Sequence, residues 1–176
     1  MAAFENISET WAREDWGLLQ NGFVTMFWRR QLFAETNARL ASDGYRVVQL
    51  DAASWHSSAV MLADLAAALS FPDYFGGNLD ALVDCLRDVA TFDYGSDAES
   101  TGTVIALAAF DTYAARDPSI ACSVLEILAD TARSALLMGH RFIVLVQSDN
   151  PELELPPVGA TAVSWNRREW LRSARL

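Results

Sequence analysis

Cysteine, histidine and lysine are the scarce residues of this chain. Two cysteines among 176 residues, Cys85 and Cys122, both in predicted helices, are too few for a disulfide framework, so buried reduced thiols are expected. The two histidines, His56 and His140, have no metal-ligand spacing such as His-x-x-x-His and no cysteine cluster beside them, so no metal site is expected. Lysine is absent: all thirteen basic residues are arginine, a bias from which no function follows. Gly76-Gly77 is accompanied by neither GxGxxG nor a following Lys-Ser/Thr, which excludes a recognisable phosphate-binding loop and leaves no cofactor to expect. No run of about 18 apolar residues is present, so no membrane span is expected. The start, Met1-Ala-Ala-Phe-Glu-Asn-Ile-Ser-Glu-Thr10, lacks the basic beginning and apolar core of a signal peptide, and a cytoplasmic location is expected.

What the chain does have is acid and apolar residues. The formal net charge of −10 argues against nucleic acid or an anionic membrane as a direct partner and suits a basic protein. A hydrophobic content of 52% places the chain among globular proteins rather than disordered ones. Its length fits one domain over residues 1–176. No linker, repeat or low-complexity tract divides it, and Tyr94 to Gly102 reads as a surface loop between helix and strand.

Short apolar runs alternate with helical patterns. Gly22 to Trp28, Tyr45 to Leu50, Thr103 to Ala109 and Phe142 to Val146 read as strands, the third as a continuously apolar, buried one. Arg30 to Ser42 reads as a helix closed by Gly44, and either Ser57 or Ser58 can cap a helix carrying Val60, Leu62, Leu65 and Leu69. Pro118 to Met138 reads as a long helix stopped by Gly139. Strands separated by helical crossovers argue for a parallel sheet with helices packed against it, an α/β fold. The first strand–helix–strand unit is expected to widen that sheet at one edge. A further strand is expected over Ala160 to Ser164, after the Pro156-Pro157 loop, and a short arginine-rich helix within Trp165 to Leu176.

The segment Phe71 to Leu86 carries the most information. Pro72 disfavours helix at Phe71, Gly76 and Gly77 suit a tight turn, and Asn78 is a good N-cap. Leu79, Leu82, Val83 and Leu86 follow at helical spacing and are expected to form the buried stripe. Asp80 and Asp84 lie one turn apart, and Asp88 extends the row. Like charges at this spacing destabilise an isolated helix by roughly 0.2–0.5 kcal/mol. The first-turn dipole favours Asp80 but not the other two. Seven acids and one base, Arg87, fall between Asp73 and Glu99, an arrangement suited to meeting a basic surface.

Tyr74-Phe-Gly-Gly-Asn-Leu-Asp-Ala-Leu-Val-Asp-Cys-Leu86 resembles the signature of the barstar family, intracellular protein inhibitors of barnase-type ribonucleases. The resemblance implies a small parallel sheet with helices packed against it over about residues 45–148, with 1–44 and 149–176 as extensions. It also implies an immunity protein whose helix-mounted carboxylates block the active site of a basic ribonuclease. Asp84 matches the central aspartate that enters the enzyme's phosphate site, and Asp80 a second charged contact. Tyr74 matches the loop aromatic that packs on the catalytic histidine, Gly76 and Asn78 match interfacial loop positions, and Asp130 falls where the family has a peripheral glutamate. Val83 occupies the position of an interfacial tryptophan between the two aspartates, Val89 aligns with another, and Gly77 replaces an acid. Tryptophan and tyrosine commonly carry interface energy, so these departures weigh against tight binding to barnase itself and leave a divergent ribonuclease or another basic toxin as partner.

Two other readings compete. A carboxylate-dependent enzyme needs its acids across a cleft, about 5–9.5 Å apart in glycosidases, whereas here both project from one helix face, and no catalytic residues are assigned. A binding module with a partner other than a nuclease could use the tail Trp165-Asn-Arg-Arg-Glu-Trp170, although two tryptophans pinning that tail to the core is the simpler reading.

Overall fold

The computed structural model of the protein describes residues 3–175. Met1, Ala2 and Leu176, at the ends of the segments read above, lie outside them. The elements run α1 (Glu14–Leu19), β1 (Val24–Phe27), α2 (Arg30–Ser42), β2 (Tyr45–Asp51), α3 (Ser58–Ala68), α4 (Leu79–Ala90), β3 (Gly102–Ala108), α5 (Phe110–Arg116), α6 (Pro118–Leu137), β4 (Arg141–Gln147) and β5 (Ser164–Trp165), with short 3₁₀ turns at Ser8–Ala12, Ala52–Ser54 and Arg172–Ala174. The five strands form one sheet in the order β2-β3-β4-β1-β5, and every pairing is parallel.

The continuous apolar runs of β3 and β4 follow from burial on both faces. Ile105, Leu107, Phe142, Val144 and Val146 point into a core shared with α3, α4, α5 and α6. Val104, Ala106, Ile143 and Leu145 point the other way, into a second core under α1 and α2 with Leu18, Leu32, Phe33 and Leu40. The sheet is thus the middle of three layers. Helix ends follow their chemistry. Of the two candidate caps before α3, Ser57 serves, its hydroxyl accepting from Val60 N–H at 3.3 Å. Asp117 caps α6 with Pro118 in the first turn, and Gly139, at φ +86°, ends that helix in the left-handed conformation a side chain would resist.

The N-terminal unit widens the sheet at one edge, but its two strands are not neighbours. β1 lies beside β4, and α2 carries the chain across β4 and β3 to the far edge, where β2 sits. Two buried carboxylates hold the terminal segments to the rest. Asp15 of α1 is fully buried and accepts from Arg13 Nε at 2.9 Å, the Tyr45 hydroxyl and Arg141 at 3.4 Å. Burial pushes its pKa up, but hydrogen bonds from Arg13 and Tyr45 outweigh that and hold it below the usual carboxylate value. Glu169, equally buried, accepts from the backbone N–H groups of Trp28 and Arg29 at 2.9 Å each, and so ties the tail to the end of β1.

The tail differs from expectation. Gly159 and Ala160 both have positive φ, and Val158 pairs antiparallel with Thr161, so the chain turns where a strand over 160–164 was expected. Extension begins only at Ser164, giving the two-residue β5. The helix expected beyond it is reduced to one 3₁₀ turn, Arg172–Ala174. Trp165 packs under Arg175, 4.5 Å from guanidinium carbon to ring centroid, while Trp170 is 69% exposed. One tryptophan of the pair pins the tail. Among the described residues no helix is long and apolar enough to cross a membrane.

Candidate functional site

The loop before α4 is ordered by its aromatics. Phe71 and Phe75 turn inward, their rings edge-on at 5.1 Å, and Tyr94 closes on Phe71 at 6.0 Å. Tyr74, between them, is forced outward and is 74% exposed. A tyrosine that merely covered the helix start would bury its ring against it. Gly77 takes φ +62°, open to glycine at no steric cost, and delivers the chain to Asn78. The Asn78 side chain then accepts from Ala81 N–H at 2.8 Å, the expected cap.

Helix α4 is amphipathic. Leu82, Cys85, Leu86 and Val89 are buried, while Asp80, Val83, Asp84 and Arg87 face solvent. The Asp84 side chain is 76% exposed and meets Arg87 at 3.3 Å, a pairing that solvent screens. Asp80 forms none of the ion pairs found among the described residues. Asp88, third in the row, is different. It is half-buried and accepts from the Tyr94 hydroxyl at 3.1 Å, so it fastens the following loop to the helix. Burial, with Cys85 and Asp88 alongside, pushes the Tyr94 phenol well above its ordinary pKa. The outward-facing acids of the helix are therefore Asp80 and Asp84.

Tyr74, Gly76, Asn78, Asp80, Val83 and Asp84 thus lie along one loop and one exposed helix face. Asp130 comes from the neighbouring α6, is exposed, pairs with Arg133 at 2.8 Å, and lines with Val83 a groove between the two helices. Val89, at the position where a tryptophan stands in the family signature, is fully buried under α4. The groove itself was not anticipated. Its α6 side, Ile127, Asp130, Thr131 and Ser134, with Met138 at the C-cap, recurs at helical spacing, a pattern that marks a face without saying that it is open.

The remaining reactive groups lie elsewhere. His140 is buried beneath Phe92, with Nε2 3.2 Å from the Thr103 hydroxyl, and burial pushes its pKa down to about 4. Cys85 is in the core. No group of three or more His, Cys, Asp or Glu that could hold a metal ion occurs among the described residues.

A row of fixed, solvated carboxylates beside an exposed aromatic is suited to binding a cationic surface through charge-assisted hydrogen bonds. Residues 45–147, from the start of β2 to the end of β4, match the family model described as barstar (barnase inhibitor). No individual curated protein matches the chain. The matched segment is more than half of the chain and contains α4 with its preceding loop, and on that ground the chain belongs to the barstar family, a family of protein inhibitors rather than enzymes.

Proposed function

We propose that this protein inhibits a basic, barnase-type ribonuclease by seating Asp80 and Asp84 in the cationic cleft that holds the RNA phosphates, as the immunity partner of that enzyme in the cytoplasm. The observation that carries the reading is the exposed pair of carboxylates on α4, a helix already capped and packed before any partner arrives. Such preorganisation lowers the ordering cost of binding. Tyr74 supplies an exposed aromatic contact beside them, Gly76 and Asn78 shape the loop, and Val83 and Asp130 extend the face toward α6. The net charge of −10 speeds encounter with a cationic enzyme. Residues 1–44 and 149–176 belong, in this reading, to the same folding unit as the inhibitor core.

Titration of the protein into RNA cleavage by a panel of barnase-type ribonucleases, with Asp84→Ala in parallel, tests this. Stoichiometric inhibition that added salt weakens and Asp84→Ala largely removes is the expected result. Folded protein that inhibits no member of the panel would count against a barnase-type partner and turn the reading to a different basic protein. The second reading, a different basic protein partner, is favoured by Val83, an aliphatic residue 37% exposed at the middle of the face where an aromatic anchor would otherwise add binding energy.

A further inference from the structure

The groove between α4 and α6 has a volume of about 430 Å³. That is within the range of roughly 300–1,000 Å³ typical of small-ligand sites. Its surface is made by Val83, Ala90, Ile127 and Met138 and by two threonines whose hydroxyls are used locally, with Arg87, Asp130 and Ser134 also lining it. The Thr131 hydroxyl donates to the Ile127 carbonyl at 2.9 Å, and that of Thr91 lies 2.9 Å from the Asp93 carboxylate and 3.1 Å from the Asp88 carbonyl. Both threonines are left with little but methyl groups to offer a ligand. The charges beside the groove are self-paired: Arg87 with Asp84, and Arg133 with Asp130. An incoming carboxylate would meet Asp84 and Asp130, and an incoming cation would find those exposed carboxylates only at the rim, with none on the apolar floor. A charged group seated on the floor itself would lose solvation without a counter-charge there. A neutral apolar group meets neither obstacle, and Met138, 72% exposed and flexible, can adapt to its shape.

The groove is also continuous with the acidic face, since Val83 and Arg87 belong to both. A protein seated on Asp80 and Asp84 would cover the groove's mouth. We propose that the groove receives one apolar side chain, aromatic or long aliphatic, from the same basic protein that meets those carboxylates. This rests on the acidic-face reading above and adds to it a neutral anchor beside the cationic contacts. Apolar groups seated in desolvated pockets are where interface energy concentrates.

The test uses the full-length protein, isotope-labelled at amides and methyls, and three capped peptides: Arg-Trp-Arg, Arg-Ala-Arg and Arg-Arg-Arg. The tryptophan peptide should shift the Val83, Ile127 and Met138 methyls saturably, whereas the other two should perturb only amides near Asp80 and Asp84. Ser134→Trp, which fills the groove from an exposed position on α6, should weaken the tryptophan peptide at least about tenfold with an unchanged melting temperature, and Ser134→Ala should not. Equal groove shifts with the alanine peptide, or indifference to Ser134→Trp, would overturn the proposal. So would a dimer in sedimentation velocity that Ser134→Trp abolishes, because the groove's occupant would then be a second copy. In the ribonuclease panel, inhibition lost in Asp84→Ala but undiminished in Ser134→Trp would sink the groove and leave the inhibitor. Saturable binding of the tryptophan peptide with no inhibition anywhere would support the groove while removing the ribonuclease.

Discussion

Asp84 and Asp88 stand one turn apart on α4, yet their side chains differ in role. Asp84 is exposed and its partner Arg87 is 69% exposed, so Asp84→Ala should leave stability within about 0.5 kcal/mol of the parent. The same change should weaken partner binding by about 2 kcal/mol or more, the scale of a charge pair desolvated at an interface. Asp88→Ala should do the reverse, costing about 1 kcal/mol of stability through the lost Tyr94 hydrogen bond while affecting binding little. Urea unfolding beside inhibition assays separates the two. His140 is a second residue whose surroundings set its behaviour. Its pKa is pushed down to about 4 by burial, below the ordinary 6.5, so between those values the unfolded chain holds more protons than the folded one. Stability should therefore fall as pH drops from about 6.5 toward about 4, by roughly 3 kcal/mol from this group. In His140→Gln, which keeps a polar group near Thr103 but does not titrate, the pH dependence over that window should be shallower than in the parent, measured by urea midpoints at each pH.

At the scale of elements, α4 is a helix whose start is specified locally and whose direction is specified by packing. Asn78→Ala should cost about 1 kcal/mol by removing the 2.8 Å cap to Ala81, and Asn78→Asp should retain most of it. Thermal melts of the two variants give the comparison. The cap and the glycine turn of α4 are legible in the residues, because each acts within one or two turns of chain. The apolar spacing places Leu82 and Leu86 in the core, but Val83, expected in the same buried stripe, faces solvent because α6 leaves that side of the helix open. The strand expected over 160–164 was not realised for a related reason. Its composition suits extension, but Gly159 and Ala160 adopt left-handed angles and fold the chain back through the Val158–Thr161 bridge. The short α5 went unread because Ala109, left-handed at φ +49°, turns the chain at the end of β3, held by a hydrogen bond from its N–H to Gln147, 38 residues away.

For the whole molecule, the two buried carboxylates matter more than any surface pair. Asp15 links α1 to β2 through Tyr45 and to β4 through Arg141, so Asp15→Ala should destabilise by about 3 kcal/mol, as breaking a buried ion pair does. Because hydrogen bonding holds its pKa low, the stability it contributes is present above the unfolded carboxylate value and lost as pH falls below it. If the termini share one folding unit with the core, calorimetry should give a single transition that moves as a whole in Asp15→Ala. A separate early transition would mark the extensions as an independent unit.

The sequence by itself determined the main strands and helices, the family signature on α4 and the row of acids there, because helical spacing, capping and turn chemistry are short-range. Tertiary structure alone decided three things. It placed β1 beside β4 and β2 at the far edge, since strand order depends on which faces the crossover helices can cover. It turned Asp88 inward to Tyr94 and left Asp80 and Asp84 facing solvent, a choice made by where the loop after α4 returns. It also opened the groove between α4 and α6, which exists only because two helices far apart in sequence pack side by side over one sheet with small and aliphatic residues at their seam.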